Sequence, residues 1–293
     1  MVGKSGFLER NLKYIFPLPA VVFVFLFMLF PIGYTLFMSF TDWSLTVGRP
    51  RQFVGLQSYM AVVGYPRFQM AVFRTFAFTF GAVIAQTVLG TIIALILHRE
   101  FKGKSVFKLM MLLPLVATPV AIGIVFQLFF DPTIGFLNFV LSSLGLPQSG
   151  WVTDARTVLP SLILVDTWQW TPMIALIVLA GLSGLSPEPF ESAKVDGANS
   201  VQTFFRITLP MLMPTIITAV VLRSVDALKT YDIIAVMTGG GPGFASETLN
   251  ILAFQFSFVF LFIGQSSAML VIFFFIILFS SIVIMQLRKK FEP

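Results

Sequence analysis

Two polar faces lie inside apolar runs of this 293-residue sequence, and their residue types suit the handling of a hydroxylated solute. Asp166, Gln169, Trp170 and Met173 stand at i, i+3, i+4 and i+7, the spacing of one helix face. Arg223, Asp226, Ala227 and Thr230 repeat that spacing, with Lys229 and Asp232 beside them. A charged side chain at the centre of a bilayer costs at least about 2.5 kcal/mol, so both faces must turn to protein or water. An indole ring offers a flat surface to the C–H face of a sugar, and carboxylate and amide groups bond hydroxyls, which is chemistry for a carbohydrate or polyol. The competing reading is that these groups hold helices together. Arg223 with Asp226, Asp226 with Lys229, and Lys229 with Asp232 are all i, i+3 pairs, so pairing suits the second face better. Cavity lining suits Asp166, Gln169 and Trp170, whose own helix carries no opposite charge. If Arg223 faces the cavity, an anionic solute such as a phosphorylated or sulfonated polyol fits. Gln86 and Gln127, single polar residues at membrane depth, read as hydrogen-bonding glue between helices.

Catalytic chemistry is poorly supplied. The sequence has no Cys, which excludes disulfides, thiolate metal sites and Cys nucleophiles, and the single His98 leaves no basis for a His metal site or a triad. Gly3-Lys4-Ser5 and Gly103-Lys104-Ser105 lack the upstream glycine of a phosphate-binding loop. Thr238-Gly239-Gly240-Gly241-Pro242-Gly243 lacks both a preceding strand and a Gly-Lys-Ser/Thr ending, and reads as a tight external turn. No residue is assigned to catalysis or to a metal.

The elements that must position the two faces are membrane helices. Hydrophobic residues make up 57% of the chain and charged residues 11%, with a mean hydropathy of +0.93, against about 25% charged in soluble domains. A span needs about 20 apolar residues. Six runs qualify, roughly 16–37, 72–97, 109–130, 159–182, 211–236 and 264–287, within a single domain of residues 1–293. The first run is longer than the core of a cleaved signal and lacks a small-x-small site, so it is expected to remain as a span. The net charge of +6 is spread over the ends of the runs rather than gathered in a nucleic-acid patch. With the N-terminus inside, Lys4, Arg10, Lys13, Arg99, Lys102, Lys104, Lys108, Lys194, Arg206, Arg288, Lys289 and Lys290 share one side, whereas Arg49, Arg51, Arg67, Arg74 and Arg156 lie on the other. That asymmetry places both termini and the loop 183–210 in the cytoplasm. Pro114 and Pro119 should kink the third span. Leu137, Val140, Leu141 and Leu144 mark a short amphipathic helix on the outer surface. Residues 245–262 are apolar but too close to the last run for a separate crossing, and read as an interfacial helix or a broken extension.

Between the fourth and fifth runs lies a polar insert, Glu191-Ser192-Ala193-Lys194-Val195-Asp196-Gly197-Ala198-Asn199, continuing to Ile207-Thr208-Leu209-Pro210. Locally it reads as helix, turn, helix. Ser186, Pro187 and Glu188 supply a cap, a first-position proline and a first-turn acid, Gly197 breaks the first helix, and Asn199 or Ser200 caps the second. The pattern Glu-x-Ala-x-x-Asp-Gly-Ala followed by Ile-x-Leu-Pro resembles the "EAA" loop of permease subunits from binding-protein-dependent ABC importers, with Ser192 where that family more often has Ala. Phe53-Val54-Gly55-Leu56-Gln57-Ser58-Tyr59 and the glycine-rich turn resemble segments of the carbohydrate-uptake, maltose-permease-like branch.

The resemblance implies the type I ABC importer permease fold: an all-α membrane protein of six transmembrane helices with a cytoplasmic helix-turn-helix coupling loop. It implies a non-catalytic subunit of the bacterial inner membrane forming half of the pathway for a sugar, polyol or related, including anionic, sugar derivative. Implied partners are two cytoplasmic ATPase subunits, which carry ATP and Mg, a second and homologous permease, an extracytoplasmic solute-binding protein and the lipid bilayer; no nucleic acid is implied. Glu191, Ala193, Asp196, Gly197 and Ala198 would contact the ATPase, Glu191 ionically, with a Cβ at Gly197 obstructing the turn or the docking groove. Asp166, Gln169, Trp170, Met173, Arg223, Ala227 and Thr230 would line the solute cavity. An ion-coupled secondary transporter is the alternative, using Asp166 and the charges of the fifth run.

Overall fold

A computed structural model describes residues 13–46, 48 and 50–289. Lys4, Arg10, Arg49 and Lys290, together with the triplet Gly3-Lys4-Ser5, lie outside the described residues, as do the side chains of Leu287, Arg288 and Lys289. Among the described residues the chain is helical apart from loops and one isolated bridge between Thr41 and Phe53. In order the helices are α1 Lys13–Met38, α2 Gln57–Val63, α3 Pro66–His98, α4 Lys104–Val116, α5 Pro119–Phe129 and α6 Phe136–Ser143. They continue with α7 Val158–Ser183, α8 Glu188–Val195, α9 Ser200–Leu228, α10 Asp232–Met237, α11 Leu249–Val259 and α12 Ile263–Lys289. Five of these are long and apolar enough to cross a membrane, and the pair α4 and α5 makes a sixth crossing if taken as one broken span.

Two of the apolar runs break differently from the sequence reading. The third span does not merely kink: α4 and α5 meet at 100°. Ala117 and Thr118 between them are extended, ψ 142° and 141°; Thr118 directly precedes Pro119, and a residue in that place is pushed out of the helical region. The Thr118 side chain then accepts from the Ala121 N–H and restarts the helix with Pro119 in its first turn. The fifth run is not one helix to residue 236. It breaks after Leu228, and the remainder folds as the short α10. Residues 245–262 yield α11, whose eleven residues rise about 16 Å against the roughly 30 Å of a hydrocarbon core.

Two compact units divide the chain. One holds residues up to 65 together with 253–273; the other holds 66–252 and 274 onward. In the first, α1 presents its apolar surface outward over most of its length, as a helix facing lipid or protein partners must. The Ser58 hydroxyl donates to the Thr41 carbonyl, and Ser39 shares a 2.6 Å hydrogen bond with Tyr59, tying α2 to the end of α1. The second unit is built on α3 packed along α7. A Cβ added at Gly90 would come within 2.9 Å of Ile174 and 3.1 Å of the Ala175 backbone nitrogen, so only glycine permits that approach. Ala94, Ile174, Val178, Leu182, Leu212 and Ile216 join α9 to this pair. At the other end Phe78, Phe130, Leu162, Ile233 and Met237 form a second buried cluster.

Candidate functional site

Where α3, α7 and α9 meet, the polar faces converge. Asp166 and Arg223, each 1% exposed, form an ion pair through Arg223 Nη2 and Asp166 Oδ2. Gln86 closes the group: its Nε2 donates to Asp166 Oδ2 at 2.8 Å and to the Asp166 carbonyl at 3.0 Å, and its Oε1 accepts from Arg223 Nε at 2.9 Å. The guanidinium also lies 5.0 Å from the centre of the Trp170 ring, a cation–π distance. This arrangement corrects two sequence expectations. Arg223 does not pair with Asp226 one turn away, and Asp166 is not left without an opposite charge, because the partner arrives from another helix. Gln86 does act as interhelical glue. Gln127 does not; it is exposed on the wall of a separate cavity with Asp131 and Gly241.

Beside the cluster lies a cavity of about 150 Å³ lined by Asp166, Gln169, Trp170, Arg223 and Thr230, with Asp226, Lys229 and Asp232 at its margin. Met173 and Ala227 belong to the same helix faces but lie outside its lining. Asp166 Oδ1 and Gln169 Oε1 are buried and accept no hydrogen bond. Gln169 Nε2 donates at 3.4 Å to the Ala117 carbonyl, which the break between α4 and α5 leaves without a helical partner. Asp166 and Gln169 thus bring unpaired buried acceptors into the cavity wall, where carboxylate, amide and hydroxyl side chains suit a molecule rich in hydroxyl groups. Lys229 pairs with Asp226 at 3.5 Å with both side chains about half exposed, while the expected Lys229 and Asp232 pair is not formed among the described residues. A larger hollow of about 600 Å³, with Leu89, Met110, Pro114 and Trp168 in its walls, is mainly apolar and offers little to orient a polar solute.

At the coupling loop, α8 ends in a Schellman motif. The Ala198 N–H donates to the Ala193 carbonyl at 2.9 Å and the Gly197 N–H to the Lys194 carbonyl at 3.2 Å, with Gly197 left-handed at φ +73°. Among the described residues nothing lies within 4 Å of a Cβ at Gly197, so the constraint there is backbone conformation, not crowding. Ala193 is buried, Ala198 is partly covered, and Glu191 and Asp196 are exposed. Asn199 starts α9 with a capping box, its side chain accepting from the Gln202 N–H while Gln202 Oε1 accepts from the Asn199 N–H, both at 2.9 Å. Ser186 does not cap α8 as expected; its hydroxyl donates to the Glu188 carboxylate at 3.1 Å and Pro187 occupies the cap position.

Glu247 escaped the sequence reading because it was absorbed into an apolar stretch. Fully buried, it takes a bidentate grip from Arg67 at 2.6 and 2.5 Å, and the Arg67 guanidinium lies 3.7 Å from the centre of the Phe244 ring. The clamp holds the end of the glycine-rich turn to the start of α3. Ser246 fastens the turn itself, bonding Thr238 at 2.8 Å and the Gly241 carbonyl at 2.6 Å. One carboxylate in an apolar run following a turn, with arginines in the preceding external segment, is the signal that would have found the clamp.

Residues 86–293 match the family described as binding-protein-dependent transport system inner membrane component. The trehalose/maltose transport system permease protein MalF of Thermococcus litoralis is 34% identical over 256 residues, covering 87% of this chain and 86% of that protein. The sulfoquinovosyl glycerol transport system permease protein SmoG of Agrobacterium fabrum is 33% identical, covering 90% and 85%. In fold, the chain superposes on a subunit of a bacterial ABC transporter involved in the import of the acidic polysaccharide alginate, with a TM-score of 0.84, 20% identity and 98% of each chain covered.

Proposed function

The chain belongs to the family of binding-protein-dependent transport system inner membrane components, the non-catalytic membrane-spanning permeases of ABC importers, and we propose that it forms half of the pathway for a neutral sugar or polyol. The observation that carries the solute class is the pair of unsatisfied buried acceptors, Asp166 Oδ1 and Gln169 Oε1, beside the Trp170 ring. A buried acceptor left unpaired costs about 1–3 kcal/mol, which a hydroxyl donor recovers. An anionic solute is disfavoured because the Arg223 guanidinium is already engaged by Asp166 and Gln86. The relative named for trehalose and maltose supports the neutral class, and the one named for sulfoquinovosyl glycerol, a sulfonated solute, supports a sugar derivative more broadly. The cavity's 150 Å³ is below the roughly 300–1,000 Å³ of a complete ligand pocket, as befits one wall of a site that a second permease completes.

In this reading two ATPase subunits on the cytoplasmic side bind ATP and Mg and close around α8, with Glu191 and Asp196 as their ionic contacts. Both termini share that side, and a solute-binding protein delivers from the other. Residues 1–293 act as one permease domain. Because α7 and α9 flank the coupling loop and carry the cavity residues, closure of the ATPases pulls on the helices that line the pathway. Nothing in the relatives favours an ion-coupled carrier. The test is uptake into proteoliposomes holding the complete transporter, with trehalose and a sugar phosphate offered side by side. ATP-dependent uptake of the neutral sugar, abolished by Trp170→Ala and Gln169→Leu without loss of the assembled complex, is the expected result. Preference for the phosphorylated sugar would reverse the solute assignment, and uptake without ATP would reject the importer mechanism for this complex.

A further inference from the structure

A further cavity, of about 690 Å³, opens where α3 and α7 end and the coupling loop begins. His98 and Arg99 reach it from the end of α3, and Lys194 reaches it from α8. Among the described residues no carboxylate lines it. Among the described residues no acid is ion-paired with Arg99 or Lys194, and the neighbouring Glu100 is held by Lys104 at 2.7 Å, a hydrogen bond that keeps its carboxyl below the usual range. The remaining walls are largely apolar, with Leu95, Leu182, Leu185, Phe190 and Phe204 among them. Cations at the rim and hydrocarbon behind them define a ligand with an anionic head and an apolar body. Because α3 and α7 are membrane-spanning helices of a permease, their shared end lies at the bilayer surface, where such molecules are the solvent.

We propose that this cavity is a binding site for the headgroup of an anionic phospholipid. The phosphate sits between Arg99 and Lys194, and the upper acyl chains lie along Leu95, Leu182 and Phe190. Basic side chains at a membrane surface attract anionic lipid additively, and the volume is larger than an inorganic anion requires. Bound there, the lipid bridges α8 to the end of α3 and braces the coupling segment against the membrane helices it must move. The site rests on family membership for its depth in the membrane; it does not depend on the solute class.

The test uses the complete transporter with its ATPase and partner permease, reconstituted in nanodiscs of equal phosphatidylglycerol and phosphatidylcholine. Lipid retained after detergent extraction is counted by native mass spectrometry, and uptake is followed in parallel, so failure of the lipid site and failure of the transport reading are separable. The expected result is selective retention of phosphatidylglycerol, reduced about five-fold for each charge removed in R99Q/K194Q and kept in R99K/K194R. Inorganic phosphate at millimolar concentration should not displace it. Equal retention of both lipids would overturn the proposal, as would retention unchanged by R99Q/K194Q in a folded complex, displacement by phosphate alone, or absence of retained lipid once the ATPase subunits are in place.

Discussion

At Gln86, Asp166 and Arg223, three helices exchange hydrogen bonds across 57 to 137 residues of sequence, whereas the coupling loop between Glu188 and Gln202 satisfies its turn within five. The first region is sealed from solvent, and every polar bond in it depends on helices having already packed. The second is exposed and depends on the conformation of one glycine and one cap. Burial raises the stakes of each partner in the cluster, because a charge stripped of its counter-ion inside the protein has no water to turn to. In the loop, water replaces a lost partner, and what is lost is geometry at the surface the ATPase would read.

The sharpest test of that contrast is Arg223→Met, which leaves Asp166 buried without its cation. It should cost about 3–5 kcal/mol, seen as a large drop in the Tm of the purified transporter. The double variant D166L/R223M should recover most of it, since an apolar pair of similar volume is close to neutral in such a place. A double variant as unstable as the single would erase the distinction between a pair that fixes packing and one that merely sits in it.

Gly197→Ala should cost about 1–2 kcal/mol locally, because φ +73° is disfavoured for a residue with a Cβ. ATP-driven uptake should fall sharply while the Tm of the membrane helices stays near that of the parent. A Tm loss matching that of Arg223→Met would show the loop to be as integrated as the cluster. The smallest effect is expected from Lys229→Ala. Its 3.5 Å pair with Asp226 is about half exposed, and such pairs contribute under about 1 kcal/mol. A loss as large as that of Arg223→Met would mean that burial does not separate Arg223 from the charges at the end of α9.

The coupling loop was legible in the sequence because its determinants are local. Gly197 after an acidic-start helix and Asn199 with Gln202 three residues on specify a left-handed stop and a capped restart from the residues themselves. The spans were legible because apolar length is a property of the chain, and the proline pair 114 and 119 marked the right place for a break. The size of that break was not legible: proline marks a break, but whether the next helix continues or turns through 100° depends on the helices packed around it, among them α7, whose Gln169 meets the Ala117 carbonyl.

For the polar faces, helical spacing placed Asp166, Gln169, Trp170, Arg223 and Thr230 on faces that do meet at one cavity, and it misassigned the partner of Arg223. An i, i+3 rule sees only neighbours on the same helix, whereas a charge at membrane depth seeks the nearest opposite charge in three dimensions. Glu247 makes the same point with Arg67, 180 residues away. By itself, then, the sequence determined the membrane class, the number of apolar runs, the loop motif and the residue types available to a solute, because each follows from composition or from contacts within one turn. Tertiary structure alone decided which carboxylate neutralises Arg223, which buried acceptors are left unpaired, and where the basic hollow at the shared end of α3 and α7 lies, because these depend on which helices pack together and at what register.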